Sequence, residues 1–130
     1  MRVHDTYQYP LQAVIRFDFS DLVDGSGVPA HLLPTGGTVT GGAVVVQTPW
    51  DSGTTATLDV GDADDDDRYT ATAVDLTTAG RTALTLTGFQ NAGPTELVLS
   101  LAETGTAATE GEAYIELTVV MEGRVNEAVS

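Results

Sequence analysis

The apolar residues of this chain recur with a period of two. In "LQAVIRFDF", Ala13, Ile15, Phe17 and Phe19 fall on one side and Arg16 and Asp18 on the other, as in a strand with one wet face. "TVTGGAVVVQT" (38–48) predicts the next strand. Its Val44, Val45 and Val46 in series predict burial on both faces or an interface on one, and Gly41–Gly42 predicts a bulge or a close backbone approach. Ala56, Leu58 and Val60 alternate with Thr57 and Asp59 in 54–60, and "RYTATAV" (68–74) places Tyr69, Ala71 and Ala73 together. Leu84 and Leu86 alternate in 82–89. So do Leu97, Leu99 and Leu101 in 95–102, and Ile115, Leu117, Val119 and Met121 in 113–122.

Between these runs lie turn signals. Residues 20–37, "SDLVDGSGVPAHLLPTGG", carry Gly and Pro at close intervals and predict a loop with Leu32 and Leu33 tucked beneath the sheet. "DLTTAG" predicts a single helical turn ending at Gly80. "QNAGP" and "ETGTAATEGE" read as turns. The whole predicts an all-β fold of about seven or eight strands. The short connections make the pairing antiparallel. The expected architecture is a two-sheet β-sandwich, jelly-roll or related. The body is expected over 13–122. Residues 1–12 form an N-terminal arm or an edge strand, and 123–130 a loosely held tail.

Composition narrows the chemistry. Hydrophobic residues make up 42% of the 130 positions, enough for one core. There are 19 acidic and 5 basic residues, for a formal charge of −14. Such a surface repels phosphate backbones and anionic membranes, so neither nucleic acid nor a membrane is an expected partner; the acidity reads first as a solvated surface and second as one suited to docking on a basic partner. Cysteine is absent, which excludes disulfides, thiolate metal sites and a thiol nucleophile. No apolar run approaches the roughly 20 residues of a transmembrane helix. "MRVHDTYQYPLQAVIRF" has no apolar stretch followed by a cleavage site, which predicts synthesis in the cytoplasm without export by the usual signal. No cofactor is expected, and no nucleotide-binding or nucleophile-elbow motif is present. His4 and His31 both fall in loop-like surroundings, so an enzyme is not expected.

"GDADDDDRY" is the most concentrated charge in the chain. Asp62, Asp64 and Asp66 have the spacing that opens a calcium loop, but Asp67 stands where such a loop needs Gly and Ala73 where it needs Glu. The run reads either as a solvated turn between strands or as an irregular calcium site. Arg68 is placed to offset the carboxylates, by an ion pair within the turn or with a neighbouring subunit. Trp50, after Pro49, could stack on a sugar, plug the end of the core or anchor a subunit contact.

The stretch from Leu33 to Phe89 carries "LPTGG", then "AVVVQTPWDSGTT", then "LDVGDA" and "DRY". The chain closes on "AYIELTVVMEGRVNEA". As a set these resemble small auxiliary structural proteins of tailed bacteriophages. The resemblance implies a head decoration, or cement, protein with a β-sandwich body. Such a protein binds the outer surface of the major capsid protein shell, staples capsomers and has no catalytic residues. It implies a virion location on the capsid exterior, with assembly in the host cytoplasm. It also implies a homo-oligomer, a trimer first and a dimer second. Tyr7, Tyr9, Trp50, Arg68 and Tyr69 are the expected interface residues. A tail or neck component of the particle, or a calcium- or carbohydrate-binding module, are the competing readings.

Overall fold

A computed structural model of the protein describes residues 11–121. Tyr7 and Tyr9, and most of the expected arm and tail, lie outside the described residues. Eight strands are present: β1 (Leu11–Asp18), β2 (Gly27–Leu33), β3 (Gly37–Thr48), β4 (Thr55–Gly61), β5 (Val74–Asp75), β6 (Gly80–Ala83), β7 (Thr95–Thr104) and β8 (Glu112–Met121).

Their pairing is that of one long hairpin rolled up. β1 pairs with β8, β2 with β7, β3 with β6 and β4 with β5, all antiparallel. Two further ladders, β3–β8 and β4–β7, join these pairs into sheets of order β1-β8-β3-β6 and β2-β7-β4-β5. This is the jelly roll, in which the chain crosses repeatedly between two sheets and buries the face each turns to the other.

The inner faces follow the period-2 pattern. Leu58 and Val60 on β4, Leu97, Leu99 and Leu101 on β7, and Ile115, Leu117 and Val119 on β8 are all buried in one core. On β3 the register shifts between Val39 and Gly41, so the inward set moves from Val39 to Val44 and Val46. Of the two features expected at Gly41–Gly42, the bulge falls just before the pair, at Thr40, and the close backbone approach is at Gly42, where a Cβ would lie 2.3 Å from the Glu116 carbonyl oxygen. The register shift turns Val45 to the outer face, opposite Tyr114.

Several expectations are corrected. Residues 20–37 are not all loop, because β2 runs through them. Its signal is masked by Pro29 and by a register shift between Pro29 and His31, both tolerated because β2 is an edge strand. Leu33 is buried as expected, but Leu32 points outward and is 60% exposed. "RYTATAV" is a turn and bend up to Ala73, with Val74 opening the short β5. There the Tyr69 amide donates to the Val60 carbonyl while the Tyr69 carbonyl accepts from Thr85, so the segment bridges two neighbours without forming a ladder. "DLTTAG" is not helical: the Asp75 carboxylate accepts from the Thr77 amide and hydroxyl in an Asx turn. β6 stops at Ala83, and the chain then departs toward the acidic turn. Leu11 and Gln12, the described residues of the expected arm or edge segment, belong to the edge strand β1.

Trp50 is buried. Its ring centroid lies 5.9 Å from that of Phe17, and its backbone amide donates to the Leu76 carbonyl. Gly111 packs against the indole so closely that an added Cβ would sit 2.5 Å from Trp50 Cδ2. Of the roles open to it, Trp50 takes the core plug. Asp51, next in sequence, accepts from Thr109 and Glu110 and so ties the β7–β8 loop down over this end of the sandwich.

Candidate functional site

The acidic run begins where β4 ends. Gly61 is required there because the backbone of Asp65 and Asp66 folds back over it. A Cβ at position 61 would lie 2.2 Å from the Asp65 carbonyl oxygen. This close return brings the buried Asp62 under the loop. Its Oδ1 accepts from the Asp64 and Asp65 amides at 3.0 and 2.9 Å. Its Oδ2 accepts from Arg68 Nε at 2.6 Å, and Arg68 Nη2 adds a 3.4 Å bond to Oδ1. The other face of the guanidinium lies on the Phe89 ring, 3.5 Å from its centroid.

Burial works to raise the Asp62 pKa, but the hydrogen bond from Arg68 and those from the Asp65 and Asp64 amides outweigh it, and the carboxyl is held below its ordinary value. Asp62 thereby raises the Arg68 pKa further. Asp59, just upstream, accepts from the Thr70 hydroxyl at 3.0 Å, and Thr70 in turn accepts from the Val60 amide. Asp62 is thus an internal structural group, and Asp59, on the outer face, is tied to the turn through Thr70.

Asp62, Asp64 and Asp66 do not converge. Asp62 is occupied by the turn itself, while Asp64 and Asp66 are exposed. The carboxylates that come together are those of Asp65, Asp66 and Asp67, within 4.8 Å of one another. The side-chain bond with Asp65, followed by repulsion from Asp65, Asp66 and Asp59, raises the Asp67 pKa.

Of the expected interface residues, Trp50 and Tyr69 are buried within the protomer, and Arg68 is committed to Asp62 and Phe89. None of the three presents a free side chain. The outward chemistry lies elsewhere, on the two sheet faces. Across the β1-β8-β3-β6 sheet, one row reads Arg16, Tyr114, Val45, Arg81. Arg16 lies 5.4 Å from the Tyr114 ring centroid, and Arg81 Nε is 3.1 Å from Glu116. The opposite sheet turns outward Asp59 beside Ser100 and Gly27, and Asp75 beside Thr57. There a hollow of about 440 Å³ is floored by Gly27, Val98, Ser100 and Ala102 and edged by Asp59 and Asp66. Both outer faces carry carboxylates, but among the described residues only the first also carries arginines: Arg16 and Arg81 stand there among Asp18, Glu112 and Glu116. Alternation in β1 and β8 marks Arg16 and Tyr114 as outward. That they share a row with Arg81 depends on pairing between strands distant in sequence, which periodicity does not encode.

No family model matches the sequence, and no curated protein matches it. Its fold does match chains in solved structures. A chain described as "Cyanophage Pam1 capsid asymmetric unit" superposes with a TM-score of 0.69 at 20% identity, covering 93% of this chain and 94% of that one. A chain of the "Capsid of Ralstonia phage GP4" gives 0.63 at 18% identity over 95% and 93%. A chain of the "Acidic stable capsid structure of Helicobacter pylori bacteriophage KHP30" gives 0.60 at 13% identity over 90% and 89%. The jelly roll of this chain is thus, nearly end to end, a fold found in the capsids of bacteriophages.

Proposed function

We propose that this protein is a capsid decoration (cement) protein of a tailed bacteriophage, which binds the outer surface of the major capsid protein shell and stabilises the head. The observation that carries this is the near-complete, two-way coverage of the matches to phage capsid chains. Because each matched chain is itself covered almost whole, each is a small subunit of about this length, as an accessory capsid component would be. The formal charge of −14 supports an exterior position, since packaged nucleic acid repels such a surface and a basic shell attracts it. The role is structural and not catalytic, and the working unit is a homo-oligomer, a trimer before a dimer.

The test is assembly on particles. Heads purified without this protein should take up the added protein to a saturating, stoichiometric level, and should then resist heat or low salt better than undecorated heads. Labelling by electron microscopy should place it on the head surface. Binding to tails or necks only, or no uptake at all, would defeat the proposal.

A further inference from the structure

We infer that the hollow in the outer face of the β2-β7-β4-β5 sheet receives an arginine or lysine side chain of the protein on which this chain docks, so that this face, and not the arginine-bearing one, is turned to the shell. This names the contact surface of the decoration role proposed above and rests on that reading. The hollow is a consequence of residue size. The row Gly27, Ser100, Asp59 crosses three strands, and Ala102 lies in the next row. Small side chains at the centre of a pleated face leave a depression of about 440 Å³, and a Cβ at Gly27 would lie 2.5 Å from Val98 Cγ1. Asp59 from β4 and Asp66 from the loop after it stand at the edge.

Charge selects the occupant. The chain has no lysine. Of its described arginines, Arg16 and Arg81 lie on the opposite sheet, and Arg68 is committed to Asp62 and Phe89. The outward carboxylates of this sheet, Asp59, Asp75 and Glu96, therefore share their face with no arginine among the described residues. Asp62 also reaches the hollow, but Arg68 already matches its charge. Asp59 is half-buried, and its partner is a neutral hydroxyl, that of Thr70. Asp65, Asp66 and Asp59 together raise the Asp67 pKa, so strand and loop carboxylates form one crowded field. Crowding like charges costs Coulomb energy that an incoming cation recovers. The shape agrees: the apolar stem of an arginine or lysine can lie along Val98 and Ala102 while its charged head meets the carboxylates at the edge. A second copy of this chain is the poorer donor, since it carries the same formal charge of −14 and its Arg81 is already paired with Glu116. Partners that present phosphate are repelled.

Heads lacking this protein are to be titrated with the full chain at low and at high salt. Asp59→Asn with Asp66→Asn keeps the shape of the hollow and the bond from Thr70 but removes both charges. It should raise the dissociation constant from heads by about thirtyfold or more and flatten its salt dependence, with unchanged circular dichroism. Ala102→Arg, which supplies a cation to the hollow from the chain itself, should weaken uptake to a similar degree. A control with the same charge change, Glu110→Gln with Glu112→Gln, should bind as the wild type does. In parallel, isotope-labelled protein is followed by NMR during titration with a tetra-arginine peptide. The peptide should shift the amides of Gly27, Asp59 and Ser100 in the wild type and leave them unmoved in the Asp59/Asp66 variant. If heads take up wild type and variant alike, or lose the control equally, the inference falls and the decoration role stands. If heads take up no wild type but the peptide shifts these amides, the site for a basic side chain stands and the decoration role falls. Peptide shifts elsewhere or none would overturn the inference. So would a homo-oligomer that the Asp59/Asp66 variant dissociates, or calcium chloride that displaces the peptide and raises the melting temperature of the wild type alone, because the occupant would then be a second copy or a metal ion.

Discussion

The guanidinium carbon of Arg68 lies 3.5 Å from the centroid of the Phe89 ring while its Nε donates to Asp62 at 2.6 Å. The cation is thus clamped between a buried carboxylate and an aromatic face, and it pins the segment after β6 to the loop after β4. Arg68→Ala leaves Asp62 buried without its counter-ion and should cost about 3 kcal/mol. Arg68→Lys keeps the charge but loses the planar stack and the second hydrogen bond, and should cost about 1–2 kcal/mol. Urea denaturation of both variants checks the order, and a cycle of Arg68→Lys with Phe89→Leu should give a coupling of about 1 kcal/mol.

Acid should act on this turn in two opposed ways. The Asp62 pKa is lowered in the folded state, so its stabilisation is complete above the ordinary carboxylate value of about 3.9 and is lost as pH falls through the lower folded value. Asp67 is raised, so protonating it favours the folded form on the way down. Melting temperature should therefore hold or rise slightly on mild acidification and then drop below about pH 4. Asp67→Asn should remove the rise, and Asp62→Asn should flatten the drop. An unchanged profile in both variants would refute this account.

Neighbouring aspartates should behave unlike one another. Asp62 organises the loop, whereas Asp64 and Asp66 are exposed. Asp64→Asn with Asp66→Asn should shift the melting temperature by no more than about 2 °C. Asp62→Ala should lower it by about 8 °C or more, as expected for loss of a buried, multiply bonded carboxylate. Differential scanning calorimetry separates the two.

Gly111 and Trp50 give a test at the other end of the core. Gly111→Ala puts a methyl 2.5 Å from the indole and should cost about 2 kcal/mol as the ring is displaced. Its emission should shift to the red, and acrylamide should quench it more strongly than in the wild type, where Trp50 is 2% exposed. Indifference of the emission to this substitution would contradict the packing described.

Strands with one dry face and one wet face were legible. Leu97, Leu99 and Leu101 repeat every second residue because a pleated strand turns alternate side chains to opposite sides, and they are buried as that repeat requires. β2 was hidden because an edge strand tolerates Pro29 and a bulge, and both erase the repeat. "RYTATAV" misled in the opposite direction. It alternates, yet Tyr69 is buried by packing into the core while its backbone bonds to Val60 and Thr85. The site was legible only in composition. The Asp run was visible, but which carboxylate turns inward depends on the close return over Gly61.

Residue type and spacing alone specify an all-β sandwich, its acidity and the period of its inner faces, since these are local properties of the chain. Which strands become neighbours is fixed only when the fold closes. Pairings such as Leu11 with Val119 and Arg16 with Tyr114 join residues about a hundred positions apart. Such contacts form when the rolled hairpin buries its two faces together, and no local pattern specifies which distant strand supplies the partner. The row of Arg16, Tyr114, Val45 and Arg81 and the clamp on Arg68 both follow from that closure.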